Sequence, residues 1–130
     1  MSEEKKINKS LDGRGECDYD YLNDVLFFKA RGRNYSRSIE MDRFVIDIDE
    51  EDFVVGMQIF DASEFLATSK LILRNVRDWK FQATVDENKL EIRLLFQVVY
   101  RNKITEKNPI IIESLEQDLP DSKAKILCNI

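Results

Sequence analysis

The longest regular alternation in the chain runs from Leu90 to Arg101. Leu90, Ile92, Leu94, Phe96, Val98 and Tyr100 point one way, and Glu91, Arg93, Leu95, Gln97, Val99 and Arg101 the other. Six apolar positions at period 2 predict a strand with one buried and one wetter face, as antiparallel sheets allow. A shorter alternation sets Phe44, Ile46 and Ile48 against Val45, Asp47 and Asp49. Glu50–Asp52 turns the chain, and Phe53–Phe60 returns it as a second strand. Val25–Ala30 (VLFFKA) and Trp79–Val85 carry the aromatic and β-branched content of strands, with Cys17–Tyr21 and Ser38–Met41 as shorter candidates. Leu22-Asn23-Asp24 and Asp86–Lys89 (DENK) supply turns, because Asn and Asp tolerate left-handed backbone and bond their own backbone groups. Gly56, inside the return strand, predicts a bulge or a close backbone approach, here by the helix that follows.

That helix is announced by FDASEF. Asp61 stands at an N-cap position with Glu64 three residues on, and Phe60 and Phe65 occupy the two positions of a hydrophobic staple. A short helix is therefore expected from Ala62, and Thr68 or Ser69 caps a second over Lys70–Arg74, ended by Asn75. Beyond the long alternation, Arg101–Lys107 reads as a connection and Pro109–Glu113 as a last strand. Ser114–Gln117 resembles a capping box, which predicts a short C-terminal helix stopped by Pro120.

Connections this short exclude most parallel crossovers. The expected fold is α+β: an antiparallel β-meander of about seven to eight short strands with a helical insert near 62–75. Residues 1–15 show no periodicity and read as a mobile leader, 16–119 as the single domain and 120–130 as a C-terminal tail.

At 130 residues the chain has the size of one domain, and its 43% apolar content suits a packed core. No apolar run approaches the roughly 20 residues of a membrane span, and MSEEKKINKSLDGRGE lacks the apolar region of a secretory signal. A cytoplasmic location with no membrane partner follows as the expectation. Cys17 and Cys128, the only cysteines, read as free thiols rather than a disulfide framework. There is no histidine, which excludes Ser-His-Asp and Cys-His catalysis and removes the commonest zinc ligand.

A net charge of −5 argues against nucleic acid as a partner. The charges are segregated: Lys29, Arg31, Arg33 and Arg37 lie together without an acid, whereas residues 39–66 hold nine acids against Arg43 alone. KARGRNYSRS, with Tyr35 among its cations, has the composition of a nucleic-acid loop, but no recognisable binding fold surrounds it. Its simpler role is to balance the neighbouring acidic hairpin.

DYDYLNDVLFF (Asp18–Phe28), Glu40 and FVIDIDEEDFVVGMQIFDAS (Phe44–Ser63) together resemble the small proteins of domain of unknown function family 2283. The residues that carry the likeness are Tyr19, Asp20, Asp24, Leu26, Glu40, Asp47, Asp49, Val55, Gly56, Ile59, Asp61, Ala62 and Ser63. The turn at Glu50-Glu51-Asp52 lacks the glycine usual in that family, and Ala67–Ile130 falls outside the likeness. The resemblance implies no activity; shorter members look like small partners in two-protein modules, which points toward an interaction role.

Among sharper readings, Asp47, Asp49 and Glu51 are the candidate metal ligands. Counted as an EF-hand loop from Asp47, they occupy positions 1, 3 and 5, but Asp52 stands at the glycine position and Gln58 at the glutamate position. A solvated turn is the simpler account. Asp18, Asp20, Glu40 and Asp47 are acid–base candidates only if the fold gathers them in a pocket. No catalytic or cofactor-binding residue is assigned and no cofactor is expected. The reading that remains is a non-catalytic interaction module, a homodimer or the partner of another small protein. Lys29, Arg31, Arg33, Tyr35, Arg37, Leu95 and Val99 are its candidate contacts, since Leu95 and Val99 place apolar groups on the outer face of the long strand. The alternatives are a regulatory partner acting indirectly on nucleic acid and a divalent-metal enzyme built on the acid cluster.

Overall fold

The long alternation becomes β7 (Lys89–Tyr100), and its inner positions from Leu90 to Val98 are buried. The structure, a computed structural model, describes residues 9–129. In chain order the other strands are β1 (Ser10–Asp20), β2 (Val25–Ala30), β3 (Tyr35–Glu40), β4 (Phe44–Asp49), β5 (Val54–Ile59), β6 (Asp78–Asp86), β8 (Lys103–Lys107), β9 (Ile110–Ser114) and β10 (Ser122–Asn129). Helices α1 (Ala62–Phe65) and α2 (Lys70–Arg74) lie between β5 and β6, where the sequence places them.

The strands form one sheet in the order β3-β4-β5-β2-β1-β10-β6-β7, with β8 and β9 both paired to the far side of β7. Every pairing is antiparallel except β1 with β10. The sheet is mixed, then, and not the antiparallel meander expected. The parallel pair joins the first described strand to the last, so no short connection had to link them.

Two segments read as unstructured belong to this central pair. The expected leader of residues 1–15 is partly strand, since β1 starts at Ser10 (residues 1–8 lie outside those described), and the expected tail of residues 120–130 supplies β10. β1 carries little apolar pattern, with glycines at 13 and 15. β10 alternates buried Ala124, Ile126 and Cys128 with Lys123 and Lys125, in a stretch too short to mark it out in the sequence. Their ladder is held by backbone bonds on both sides, to β2 and β6. The expected C-terminal helix does not form: Leu115 donates its N–H to the Asn88 carbonyl (2.8 Å), and Leu119 donates to the Asn88 side chain (3.1 Å). Leu115 and Leu119 are buried there, so tertiary packing overrides the local cap signal.

In a flat sheet, β2 and β6 would stand about 14 Å apart, three strand spacings. Yet the Phe28 ring lies 5.5 Å from Phe81 and 5.4 Å from Trp79. The sheet therefore folds over at β1 and β10, closing its inner face around a core that includes Leu26, Phe44, Ile46, Met57, Trp79, Phe81 and Ile92. Gly15 is required at this fold: a Cβ there would sit 2.4 Å from the Lys29 carbonyl oxygen and 2.6 Å from an Ile126 methyl.

The hairpins β6–β7 and β7–β8 both close through two-residue loops. Glu87 and Asn88 (φ 50° and 60°), and Arg101 and Asn102 (φ 52° and 64°), have the left-handed backbone that matches hairpin twist. The segment Arg101–Lys107, expected as a connection, thus contains a turn and β8. Its pattern hid this because every residue of β8 is exposed.

The β4–β5 register slips at Asp47/Ile48, so the bulge expected near Gly56 is present. The close approach is made by β2 and Asp47 rather than by the following helix. A Cβ on Gly56 would lie 2.8 Å from the Phe28 carbonyl oxygen and 2.9 Å from an Asp47 carboxylate oxygen.

Candidate functional site

The residues of the family-like stretch converge on one small network. Asp24 ends the β1–β2 turn with φ 56°, and its backbone carbonyl accepts from Ala62 N–H (2.9 Å). Its carboxylate accepts from Ser63 N–H (3.0 Å), Ser63 Oγ (2.7 Å) and Tyr19 OH (2.5 Å). Asp24 therefore caps α1 from another part of the chain. Asp61, the expected cap, has left-handed backbone and makes no side-chain cap bond. The expected staple also differs, since Phe60 is 42% exposed while Phe65 packs on Phe44 with ring centroids 6.2 Å apart. At α2, Ser69 Oγ accepts from Ile72 N–H (3.1 Å) as the sequence suggests.

Burial pushes the Asp24 carboxyl upward, but the bonds from Ser63 and Tyr19 outweigh it and hold the group below the usual carboxylate range. Burial, and then the bond to Asp24, push the Tyr19 phenol above its ordinary value. At neutral pH the pair is a carboxylate and a phenol, with each available proton committed. The chemistry of this network is capping. Beside it, Lys70 Nζ and Arg74 Cζ stand 4.9 and 4.7 Å from the centre of the Tyr21 ring, clamping α2 to the β1–β2 turn.

The acidic stretch and the basic loop meet within one chain. Asp49 is 1% exposed, and its Oδ1 accepts from the N–H groups of Glu51 and Phe53 (both 2.9 Å). Arg33 Nε donates to Asp49 Oδ2 (2.7 Å) and Arg33 NH2 to Glu51 Oε1 (2.8 Å), which raises the Arg33 pKa. Lys9 Nζ donates to the Glu51 carbonyl, and Arg37 pairs with Asp52 at 3.2 Å.

Of the candidate metal ligands, then, Asp49 and Glu51 engage this corner, whereas Asp47 accepts from Ser38 Oγ (2.7 Å). Among the described residues, no group of three or more Asp, Glu or Cys is arranged to hold a metal ion. The acid–base candidates are dispersed as well: Asp20 bonds Asn23 and Asp18 lies exposed on β1. Glu40 ends β3.

Of the other candidate contacts, Arg31 stands 3.5 Å from Glu16, Tyr35 OH shares a hydrogen bond with Ser38 Oγ (2.7 Å), and Lys29 is exposed on β2. Cys17 and Cys128, free thiols on neighbouring strands, share the inner face. The neighbouring Cys128 thiol, together with burial, pushes the Cys17 thiol upward from its ordinary value.

The remaining candidates lie on the C-terminal hairpin. Leu95 is half-buried, while Val99 is 70% exposed and faces Ile104 (68%) across the β7–β8 ladder. Ile110 (46%) and Ile112 (61%) continue this outer face along β9. Sequence reasoning missed the three isoleucines because β8 was unrecognised and only one face of β9 packs. Elsewhere, an open groove of about 440 Å³ crosses β1, β10 and β6 with Asp12, Lys80 and Lys125 at its walls. A cleft of about 290 Å³ separates Met41 and Asp42 from Glu113 and Glu116. No helix among the described residues is long and apolar enough to cross a membrane.

The model of a family described as "Protein of unknown function (DUF2283)" matches residues 17–63, the span that includes Tyr19, Asp24 and Ser63. A Methanosarcina mazei protein named "Putative hypoxanthine phosphoribosyltransferase" is 33% identical over 90 residues, covering 69% of this chain and 73% of its own. The chain belongs to the DUF2283 family. An uncharacterized protein of Methanocaldococcus jannaschii is 26% identical over 97 residues, 74% of this chain and 84% of its own. No solved structure matches. Within this DUF2283 protein, the family-matching span builds β2–β5 and the cap on α1, while the exposed apolar hairpin lies outside it.

Proposed function

We propose that this DUF2283 protein is a non-catalytic interaction module that associates with copies of itself through the outer face of β7, β8 and β9. The observation that carries the reading is the row of exposed apolar side chains, Val99, Ile104, Ile110 and Ile112, on the one hairpin that ends the sheet. Apolar side chains scattered singly need no explanation, but two exposed apolar groups on one sheet edge, Val99 with Ile104 and Ile110 with Ile112, separated by Glu106 and Asn108, offer a contact surface. The basic loop is a weaker contact than its sequence suggests, because Arg33 and Arg37 already bond Asp49, Glu51 and Asp52 of the same chain.

The name of the Methanosarcina mazei relative raises phosphoribosyl transfer as another reading. That chemistry needs a cradle for phosphate, typically backbone N–H groups at a helix N-terminus. In this chain the N-terminus of α1 receives the Asp24 carboxylate, and that of α2 receives Ser69 Oγ. Light scattering at micromolar concentration tests the proposal: a mass above that of one chain supports it. A monomer at every salt concentration overturns it, as does formation of inosine monophosphate from hypoxanthine and phosphoribosyl diphosphate.

A further inference from the structure

Strands β8 and β9 form one edge rather than two. The pairs Phe96–Lys107 and Arg93–Ile110 keep a single register along β7, interrupted only at Asn108-Pro109. The Leu94 N–H donates to the Pro109 carbonyl (3.1 Å), and the Leu115 N–H to the Asn88 carbonyl (2.8 Å). Those bonds turn the backbone of residues 109 and 115 toward β7, and alternation does the same for 103, 105, 107, 111 and 113. The backbone groups of Ile104, Glu106, Asn108, Ile110, Ile112 and Ser114 consequently point away from the sheet. Pro109 lacks an N–H only on the side that faces β7, so this outward ladder is uninterrupted.

We propose that two copies join edge to edge along β8–β9, antiparallel, about a two-fold axis at Asn108. This rests on the self-association reading above and names its partner and register. At that register outward-facing residues meet outward-facing residues: Asn108 faces its own copy, Ile104 faces Ile112, and Glu106 faces Ile110. Ile104, beside Val99 on β7, then has Ile112 of the second copy directly opposite and Ile110 on the diagonal, which joins the two exposed apolar groups across the seam. On the other face, Lys103 of each copy stands directly opposite Glu113 of its mate, in the closer kind of antiparallel pair.

Shifting the axis to Ile110 or Ile112 also matches backbone groups, but it leaves Ile104 outside the isoleucine cluster. The opposite edge of the sheet is less suited: β3 carries a bulge between Tyr35 and Arg37, and Arg37 is engaged by Asp52.

Single-cysteine variants read the register directly, with the wild-type chain as the background for Cys17 and Cys128. Residues on the axis approach to about 5.5 Å between Cα atoms, within disulfide range. Oxidised Asn108→Cys should run as a covalent dimer, while Ile110→Cys and Ile112→Cys should not. In parallel, Lys103→Glu and Glu113→Lys should each weaken the dimer about tenfold or more, and the double swap should restore it. Cross-linking at 110 or 112 instead of 108 overturns this register. A dimer by mass that shows no cross-link at any of the three positions overturns pairing about Asn108 and leaves self-association standing. A monomer by mass overturns both.

Discussion

The two ends of the sheet are finished by different physics. At the β3–β4–β5 end, the corner is closed by charge within the chain: Arg33 seals the buried Asp49, Arg37 reaches Asp52, and the edge strand is bulged. At the β7–β9 end, a regular apolar alternation supplies the inner face, and β8 and β9 keep one register along β7, with Ile104, Ile110 and Ile112 exposed on the outer side beside Glu106 and Ser114. A sheet edge that is not to pair is usually blunted by charge, bulge or cover. Here the β3 edge is bulged and tied by Arg37 to Asp52, whereas the β8–β9 edge has charges at Lys103, Glu106, Lys107 and Glu113 but no such tie among the described residues, and three exposed isoleucines. The difference teaches where to look for a partner, because specificity devices spent on one end make the plainness of the other informative.

Removing the anchor of the apolar end should have the largest effect. Trp79→Ala deletes a side chain that is 1% exposed and in contact with Phe28 and Phe96. A loss of about 3–5 kcal/mol is expected in chemical denaturation; a loss below about 1 kcal/mol would show that the folded-over core has been misassigned. At the charged end, Asp49→Ala strips partners from the Glu51 and Phe53 N–H groups and from Arg33. It should cost about 2–3 kcal/mol, and a neutral result would mean the corner is decorative.

Asp24→Ala removes the cap on α1 and should cost about 1 kcal/mol near neutral pH. Its acid limb is a separate test. Hydrogen bonds hold the native Asp24 carboxyl below the unfolded value near 3.9, so its contribution is complete above that value. The contribution is lost as pH falls through the lower native pKa. The stability gap between wild type and Asp24→Ala should therefore narrow on acidification, and a gap that is constant to about pH 2 would contradict the assignment.

The smallest folding effect belongs to the open edge. Ile104→Thr should change monomer stability by no more than about 0.5 kcal/mol, while weakening self-association measured by light scattering. A large folding loss without any change in mass would reverse the comparison between the two ends.

What was legible in the sequence follows the range of each interaction. The alternations at 44–48 and 90–99, the turn at Glu50–Asp52 and the start of α1 at Ala62 depend on neighbours in the chain and are present, whereas Asp49 is buried and Arg101 belongs to the next turn. The cap on α1 was assigned to Asp61 because local rules look only a few residues away, whereas the carboxylate that does the capping comes from Asp24. The acidic stretch looked like a candidate ion site until Arg33, sixteen positions before Asp49, took the charge. Strand β8 was missed because no face of it is buried, so it carries no periodic signal.

By itself, then, the sequence determined the alternating faces, the tight turns, the helical insert and the membership in DUF2283. Each is written in residues close together or in a motif of fixed order. Only the tertiary structure decided that the first and last strands run parallel at the centre. Only it showed that Gly15 lets the sheet fold onto itself, and that one edge is closed while the other stays open. Those outcomes depend on which distant segments pair and in which direction, and an alternating pattern within one segment, such as Ala124, Ile126 and Cys128, specifies neither.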